Sequence, residues 1–201
     1  MPELYRAEHV GSLLRPDGLK EARSSFDAGE MSADDLRQLE DAAIQEALNQ
    51  QQRIGMAVFT DSEFRRAGFR NDMQGSVEGF IDTGMPAVVR IWQGPGAKPQ
   101  AQGTRQVVGG KLRRRTRLTG SQTEYLKANA PGPVKMTVPS PNQFPAICYQ
   151  EGPTDKFYPT RSDLICELTE IIKEEIRALL ADGVSYIQMD EPRYSYYVGS
   201  K

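Results

Sequence analysis

The sequence predicts an α/β fold: the first half of a (β/α)₈ TIM-type barrel, with a hairpin excursion. Two stretches, 32–63 and 162–192, share one grammar of amphipathic helix, glycine, short buried strand and terminal carboxylates. That grammar marks a parallel sheet with its ligand site at the C-terminal strand ends. About four barrel strands fit into 201 residues, whereas a complete barrel typically takes about 250.

Along the chain, a first strand is expected near Tyr5–Val10, running into Gly11-Ser12. The first repeated unit opens at Ser32, a good N-cap, with Asp34 and Asp35 facing the positive end of the helix dipole. Leu36, Leu39, Ala43, Ile44, Ala47 and Leu48 then recur every three or four residues, giving one apolar helix face. Gly55 closes the helix as a C′ residue, and Met56-Ala57-Val58-Phe59 reads as a buried strand ending at Thr60-Asp61-Ser62-Glu63.

An insertion is expected at about 84–120. Gly94–Gly103 is rich in Gly, Pro and Gln, as loops are. Gln106-Val107-Val108, Gly109-Gly110 and Lys111-Leu112 read as a hairpin turning at the glycine pair. A short helix over Ser121–Asn129 leads to a strand at 134–138, which stops at Pro139-Ser140-Pro141. The second unit starts from Ser162 as the cap and Asp163 in the first turn. Its apolar face runs from Leu164 to Leu180, Gly183 ends it, and the strand at 184–189 runs into Asp190-Glu191-Pro192.

Composition excludes several classes. With 25 basic and 27 acidic residues the net charge is −2, which offers nothing to nucleic acid or to an acidic membrane. The basic run Lys111–Arg117 lacks interleaved aromatic residues to stack bases, so it is read as a solvated hairpin face. Neither a signal peptide nor a stretch of about 20 apolar residues is present, making a cytoplasmic protein the expectation. Cys148 and Cys166 are too few for a disulfide framework and are expected to be structural thiols, Cys166 as a buried hydrophobe among Leu164, Ile165 and Leu168.

Three strand ends carry polar groups. Gly11 lets a ligand approach the backbone, and Ser12 offers an N–H and a hydroxyl to a carboxylate; Gly-Ser is also ordinary turn chemistry, with His9 packed against a neighbour. Asp61 and Glu63 stand beside Arg65 and Arg66, either as a barrel mouth or as a surface ion-pair cluster. Pro192 holds Glu191 extended after Asp190. Each carboxylate pair alone is compatible with acid/base work, cation binding or no function.

Taken together, four ordered segments resemble one family. Arg6-Ala7-Glu8-His9-Val10-Gly11-Ser12-Leu13-Leu14-Arg15-Pro16, Thr60-Asp61-Ser62-Glu63-Phe64-Arg65-Arg66, Val138-Pro139-Ser140-Pro141 and Gln188-Met189-Asp190-Glu191-Pro192 are similar to the N-terminal half of the cobalamin-independent methionine synthases, especially their short single-barrel members. The resemblance implies zinc-dependent methyl transfer from a folate-type donor to the thiol of homocysteine. It implies that Gly11 and Ser12 hold the homocysteine carboxylate and that Glu63 and Asp190 bind its ammonium; His9 and Asp61 complete the expected substrate-binding set. The zinc ligands of the family, a His-x-Cys pair, a Glu and a distant Cys, would follow residue 201, so no metal ligand is assigned within this chain. The chain is then expected to be a truncated form that holds the amino acid without the metal, with a missing half-barrel or self-association covering it.

One departure concerns Ser62, where the family usually has Gly; a positive φ there would strain serine by about 1 kcal/mol or more. Alkyl transfer to another thiol and a non-catalytic amino-acid-binding remnant are the rival readings.

Overall fold

The computed structural model describes residues 9–66, 71–86 and 104–192. They fall into two compact units, one drawn from Met1–Asp72, Leu118–Pro139 and Glu175–Asp190, the other from Met73–Arg117, Ser140–Glu174 and Glu191–Lys201. The expected opening strand near Tyr5–Val10 lies largely outside the described residues.

In the first unit, α1 (Asp17–Asp27) packs Leu19 and Ala22 inward, and α2 (Ala33–Arg53) follows. Ser32 is the N-cap of α2, its Oγ accepting from the Asp35 amide at 3.1 Å. Leu36, Ile44, Ala47 and Leu48 are buried, whereas Leu39, expected on the same face, is 45% exposed. Gly55 takes φ +77°. Its amide donates to Gln52 O at 3.0 Å and the Met56 amide to Gln51 O at 3.0 Å, the paired bonds of a Schellman ending.

The run after Gly55 makes a single parallel bridge, Phe59 to Val134, rather than the expected strand. On one edge the Phe59 amide donates to Pro133 O at 2.9 Å and its carbonyl accepts from Lys135 N at 2.8 Å; on the other the Thr60 amide donates to Gln51 Oε1 at 3.0 Å and Gln51 Nε2 donates to Thr60 O at 3.0 Å, so a side chain of α2 takes the groups a neighbour on that edge would use. Beyond α4 (Gly120–Asn129), β3 (Lys135–Pro139) pairs in parallel with β4 (Tyr186–Asp190), Thr137 opposite Gln188 and Pro139 opposite Asp190. All five β3 residues are buried, as in a strand covered on both faces.

The glycine ending recurs before β4: Gly183 at φ +80° donates to Leu180 O at 2.9 Å and Val184 to Leu179 O at 3.0 Å. Leu180 itself is 57% exposed, outside its expected apolar face. The N-terminus of α4 has no side-chain cap of its own. Glu175, fully buried, accepts there from the Leu118 amide (2.9 Å), the Thr119 amide (3.3 Å) and the Thr119 hydroxyl (2.7 Å).

In the second unit, the short helix α3 (Asn71–Ser76) leads into β1 (Val77–Pro86), which pairs antiparallel with β2 (Thr104–Arg114). This corrects the expected hairpin. Gly109 and Gly110 lie inside β2, and a Cβ on Gly109 would stand 2.4 Å from Ile81 Cδ1, so this glycine serves close cross-strand approach and not a turn. The basic run is engaged within the same unit: Lys111 Nζ lies 4.4 Å from the Tyr158 ring centre, Arg113 pairs with Glu78 at 3.4 Å and Arg114 with Glu174 at 3.2 Å. Ser140 caps a 3-10 turn over Pro141–Gln143, its Oγ accepting from Asn142 N at 3.3 Å, so Pro139-Ser140-Pro141 is a rigid turn. The short helix α5 (Pro145–Cys148) ends that segment.

The last helix, α6 (Arg161–Ala181), begins one residue before the expected cap. Thr160 takes that role in a capping box with Asp163: Asp163 N donates to Thr160 Oγ1 at 3.2 Å, while Asp163 Oδ2 accepts from Thr160 N at 2.8 Å and Thr160 Oγ1 at 2.7 Å. Hydrogen bonds from the Thr160 hydroxyl, then its amide, hold the Asp163 carboxyl below its ordinary value of 3.8. A lowered acid stabilises the fold above its unfolded value and loses that contribution as pH falls through the folded one. Acidification below the ordinary aspartate value should therefore release the box, seen as a titration of the Thr160 amide resonance that is absent in Asp163→Ala. Cys148 is buried as expected, but Cys166 is exposed. It lies two residues from Leu164, about 200° around the helix, on the face opposite the buried leucines.

Candidate functional site

Of the residues singled out by sequence, Gly11, Asp61 and Glu63 come together in the first unit, and all three are buried. Ser62 (φ 59°) and Glu63 (φ 56°) both adopt left-handed backbone, so the strain expected at serine is present and extends to the glutamate. Such residues cost about 1–3 kcal/mol each and persist only where their surroundings over-determine them. Here the surroundings do. Leu13 N donates to Ser62 O at 3.3 Å, Glu63 N to Asp61 Oδ1 at 3.0 Å, and Ser62 N to Thr60 Oγ1 at 3.2 Å. Arg15 clamps the far end, Nη2 donating to Glu63 O at 3.0 Å and Nε to Arg66 O at 3.1 Å. Burial, with Arg23 next, draws the Arg15 guanidinium below its ordinary value.

The turn aims Glu63 inward at 2% exposure. Its Oε1 accepts from Thr137 Oγ1 at 2.6 Å and lies 3.6 Å from Arg66 Nη1, whereas the buried Oε2 has no hydrogen-bond partner. A Cβ on Gly11 would stand 2.8 Å from Thr137 Cγ2 and 3.1 Å from Glu63 Oε1, so only glycine brings backbone this close to the carboxylate. Asp61 is chiefly a loop brace through Oδ1, with Oδ2 left unpartnered.

His9 is half-buried, its Nε2 3.1 Å from both Gln51 Oε1 and Thr60 Oγ1, which is the packed-histidine arrangement. Ser12 is exposed. Asp190 closes β4 opposite Pro139, and its Oδ1 accepts from Gln188 Nε2 at 2.6 Å. A surface ion-pair cluster at Asp61–Arg66 is ruled out for Arg66, which is 1% exposed and donates to Gln122 Oε1 (2.8 Å), Thr137 Oγ1 (3.0 Å) and Thr137 O (3.1 Å). Arg65 is the outer residue, paired with Asp41 and lying 4.5 Å from the Tyr125 ring centre.

Sequence reasoning missed Thr137, Lys135, Gln188, Gln51 and Arg15 as site residues. The available signal was polar residues alternating with apolar ones in strands expected to be buried, Lys135/Thr137 and Tyr186/Gln188/Asp190. Among the described residues, no three His, Cys, Asp or Glu side chains gather to hold a metal ion. None of the described helices is long and apolar enough to cross a membrane.

The family model for the cobalamin-independent synthase catalytic domain matches residues 7–198. The chain belongs to this cobalamin-independent synthase family. Among its relatives, the uncharacterized Bacillus subtilis protein YxjH is 31% identical over 98% of this chain and 50% of its own length. A Saccharolobus solfataricus methionine synthase is 27% identical over 91% of this chain and 51% of its own. The chain thus spans about half the length of the curated relatives it matches. Among solved structures, a putative vitamin-B12-independent methionine synthase from Listeria monocytogenes aligns with TM-score 0.75 and 25% identity over 98% of this chain and 55% of that one. A B12-independent methionine synthase from Shewanella, solved with selenomethionine, aligns with TM-score 0.65 and 23% identity over 81% and 44%. Both solved neighbours share the fold of this chain over the aligned parts.

Proposed function

We propose that this chain supplies the amino-acid-binding half of a cobalamin-independent methionine synthase, receiving homocysteine for methyl transfer from a folate-type donor. In this reading the described strands belong to the first half of a (β/α)₈ barrel, and β1 and β2 form its hairpin excursion. Among the described residues β4 pairs only with β3, and Tyr186 and Met189 on it are 37% and 49% exposed, in keeping with a strand that receives further barrel strands or a second copy.

The observation that carries the reading is the buried Glu63 carboxylate with Oε2 unpartnered beside the backbone of Gly11. Leaving a buried acceptor unmade costs about 1–3 kcal/mol, more for a charged group, and a ligand ammonium would recover it. Asp190 would offer the second carboxylate, with Gly11 and the exposed Ser12 at the ligand carboxylate; Asp61 and His9 brace the loop behind them. The selenomethionine complex of the Shewanella relative supports an amino acid of this shape. In this reading zinc would stabilise the homocysteine thiolate of the family reaction; among the described residues no three His, Cys, Asp or Glu side chains gather to hold it.

Calorimetry of the chain with L-homocysteine and L-methionine tests the proposal. Binding is expected, and Glu63→Gln should weaken it about tenfold by removing the charged partner of the ammonium. Equal affinity in the two proteins, or no binding by the unsubstituted chain, would overturn it.

A further inference from the structure

The two acids proposed for the ligand ammonium are held in the same way. Glu63 accepts through Oε1 from Thr137 Oγ1 at 2.6 Å, and Thr137 Oγ1 in turn accepts from Arg66 Nη1 at 3.0 Å. Asp190 accepts through Oδ1 from Gln188 Nε2 at 2.6 Å, and Gln188 Oε1 accepts from Lys135 Nζ at 2.9 Å. Each chain is a cation, one neutral side chain and a carboxylate. Both cations are 1% exposed.

The cations decide which way the neutral groups point. An ammonium and a guanidinium only donate, so Lys135 fixes the Gln188 amide with oxygen inward and its NH₂ toward Asp190. Likewise Arg66 takes a lone pair of the Thr137 hydroxyl and leaves its hydrogen for Glu63. Lys135 is anchored by a second bond to His9 O at 2.6 Å and by the Tyr186 ring, 5.3 Å from Nζ. Register places the two chains side by side: Thr137 stands opposite Gln188 and Lys135 opposite Tyr186, with Lys135 and Thr137 on one strand face and Gln188 and Asp190 on the matching one.

We propose that Lys135 with Gln188, and Arg66 with Thr137, are positioning residues, each pair locking one oxygen of its acid so that the other is presented to the ammonium of an α-amino acid. This rests on the amino-acid reading of the site. Fixing one oxygen leaves one direction for the remaining lone pairs, and that gives discrimination for an amino group over a neutral substituent.

The test uses the 201-residue chain, calorimetry, and two ligands: L-methionine and 4-(methylthio)butanoate, which lacks the amino group. Gln188→Leu and the isosteric Thr137→Val should each lower methionine affinity about tenfold, with Lys135→Met lowering it less because it acts through Gln188. Affinity for the desamino compound should stay within about twofold. Thermal melts establish that the variants fold, and Thr137→Val, which changes no volume, decides the matter if the others do not. Equal loss for both ligands would show a structural role and overturn the proposal, as would unchanged methionine affinity. No uptake of either ligand by the unsubstituted chain would instead remove the amino-acid reading, and this inference with it.

Discussion

Exchanging Arg66 for methionine is expected to lower the unfolding free energy by about 3–5 kcal/mol, since breaking a buried pair leaves the remaining charge uncompensated. The guanidinium is 1% exposed, and its removal strands the Gln122 amide oxygen, the Thr137 carbonyl and the Glu63 carboxylate. A loss of that size is a large share of the about 5–15 kcal/mol that holds a domain together. Urea unfolding measures it directly. Glu63→Gln in the Arg66→Met background should be less costly than the two single changes added, because the charge that suffers from losing Arg66 is then absent. Strict additivity would mean that the pair does not act as a unit.

Glu175→Ala should cost about 3 kcal/mol, through three buried donors left without an acceptor at roughly 1 kcal/mol each. The Leu118 amide, the Thr119 amide and the Thr119 hydroxyl all end on this carboxylate. It supplies a carboxylate at the positive end of α4 from a different helix, where the local sequence provides no capping side chain. Glu175→Gln retains an acceptor oxygen and should lose about half as much. Hydrogen exchange at the Leu118 and Thr119 amides separates the local from the global effect; unchanged protection in the alanine variant would show that Glu175 is not their acceptor in solution.

The sequence readings that succeeded were those governed by a few neighbouring residues. Ser32 caps α2, Gly55 and Gly183 close α2 and α6 with the same pair of bonds, and β3 lies within a residue of its expected place. Those that failed needed a partner. Gly109-Gly110 has the composition of a turn, but β1 pairs with it and makes it mid-strand. Met56–Phe59 has the composition of a strand, but Gln51 takes the Thr60 amide and carbonyl. Thr160, not Ser162, caps α6, although both are good caps, because Asp163 lies three residues after Thr160 and can close the box.

By itself the sequence determined the family, the Ser32 cap, the two glycine helix endings and the order of the carboxylate motifs, because motif order, capping and period are written in short stretches of chain. Tertiary structure alone decided what surrounds those carboxylates. Arg66 reaches Thr137 across 71 positions and Lys135 reaches His9 across 126, and no local periodicity encodes a contact of that separation. Packing also gave the two neighbouring arginines different partners: Arg65 lies over Tyr125 and pairs with Asp41, and Arg66 went under the turn, where burial makes every unmade hydrogen bond expensive.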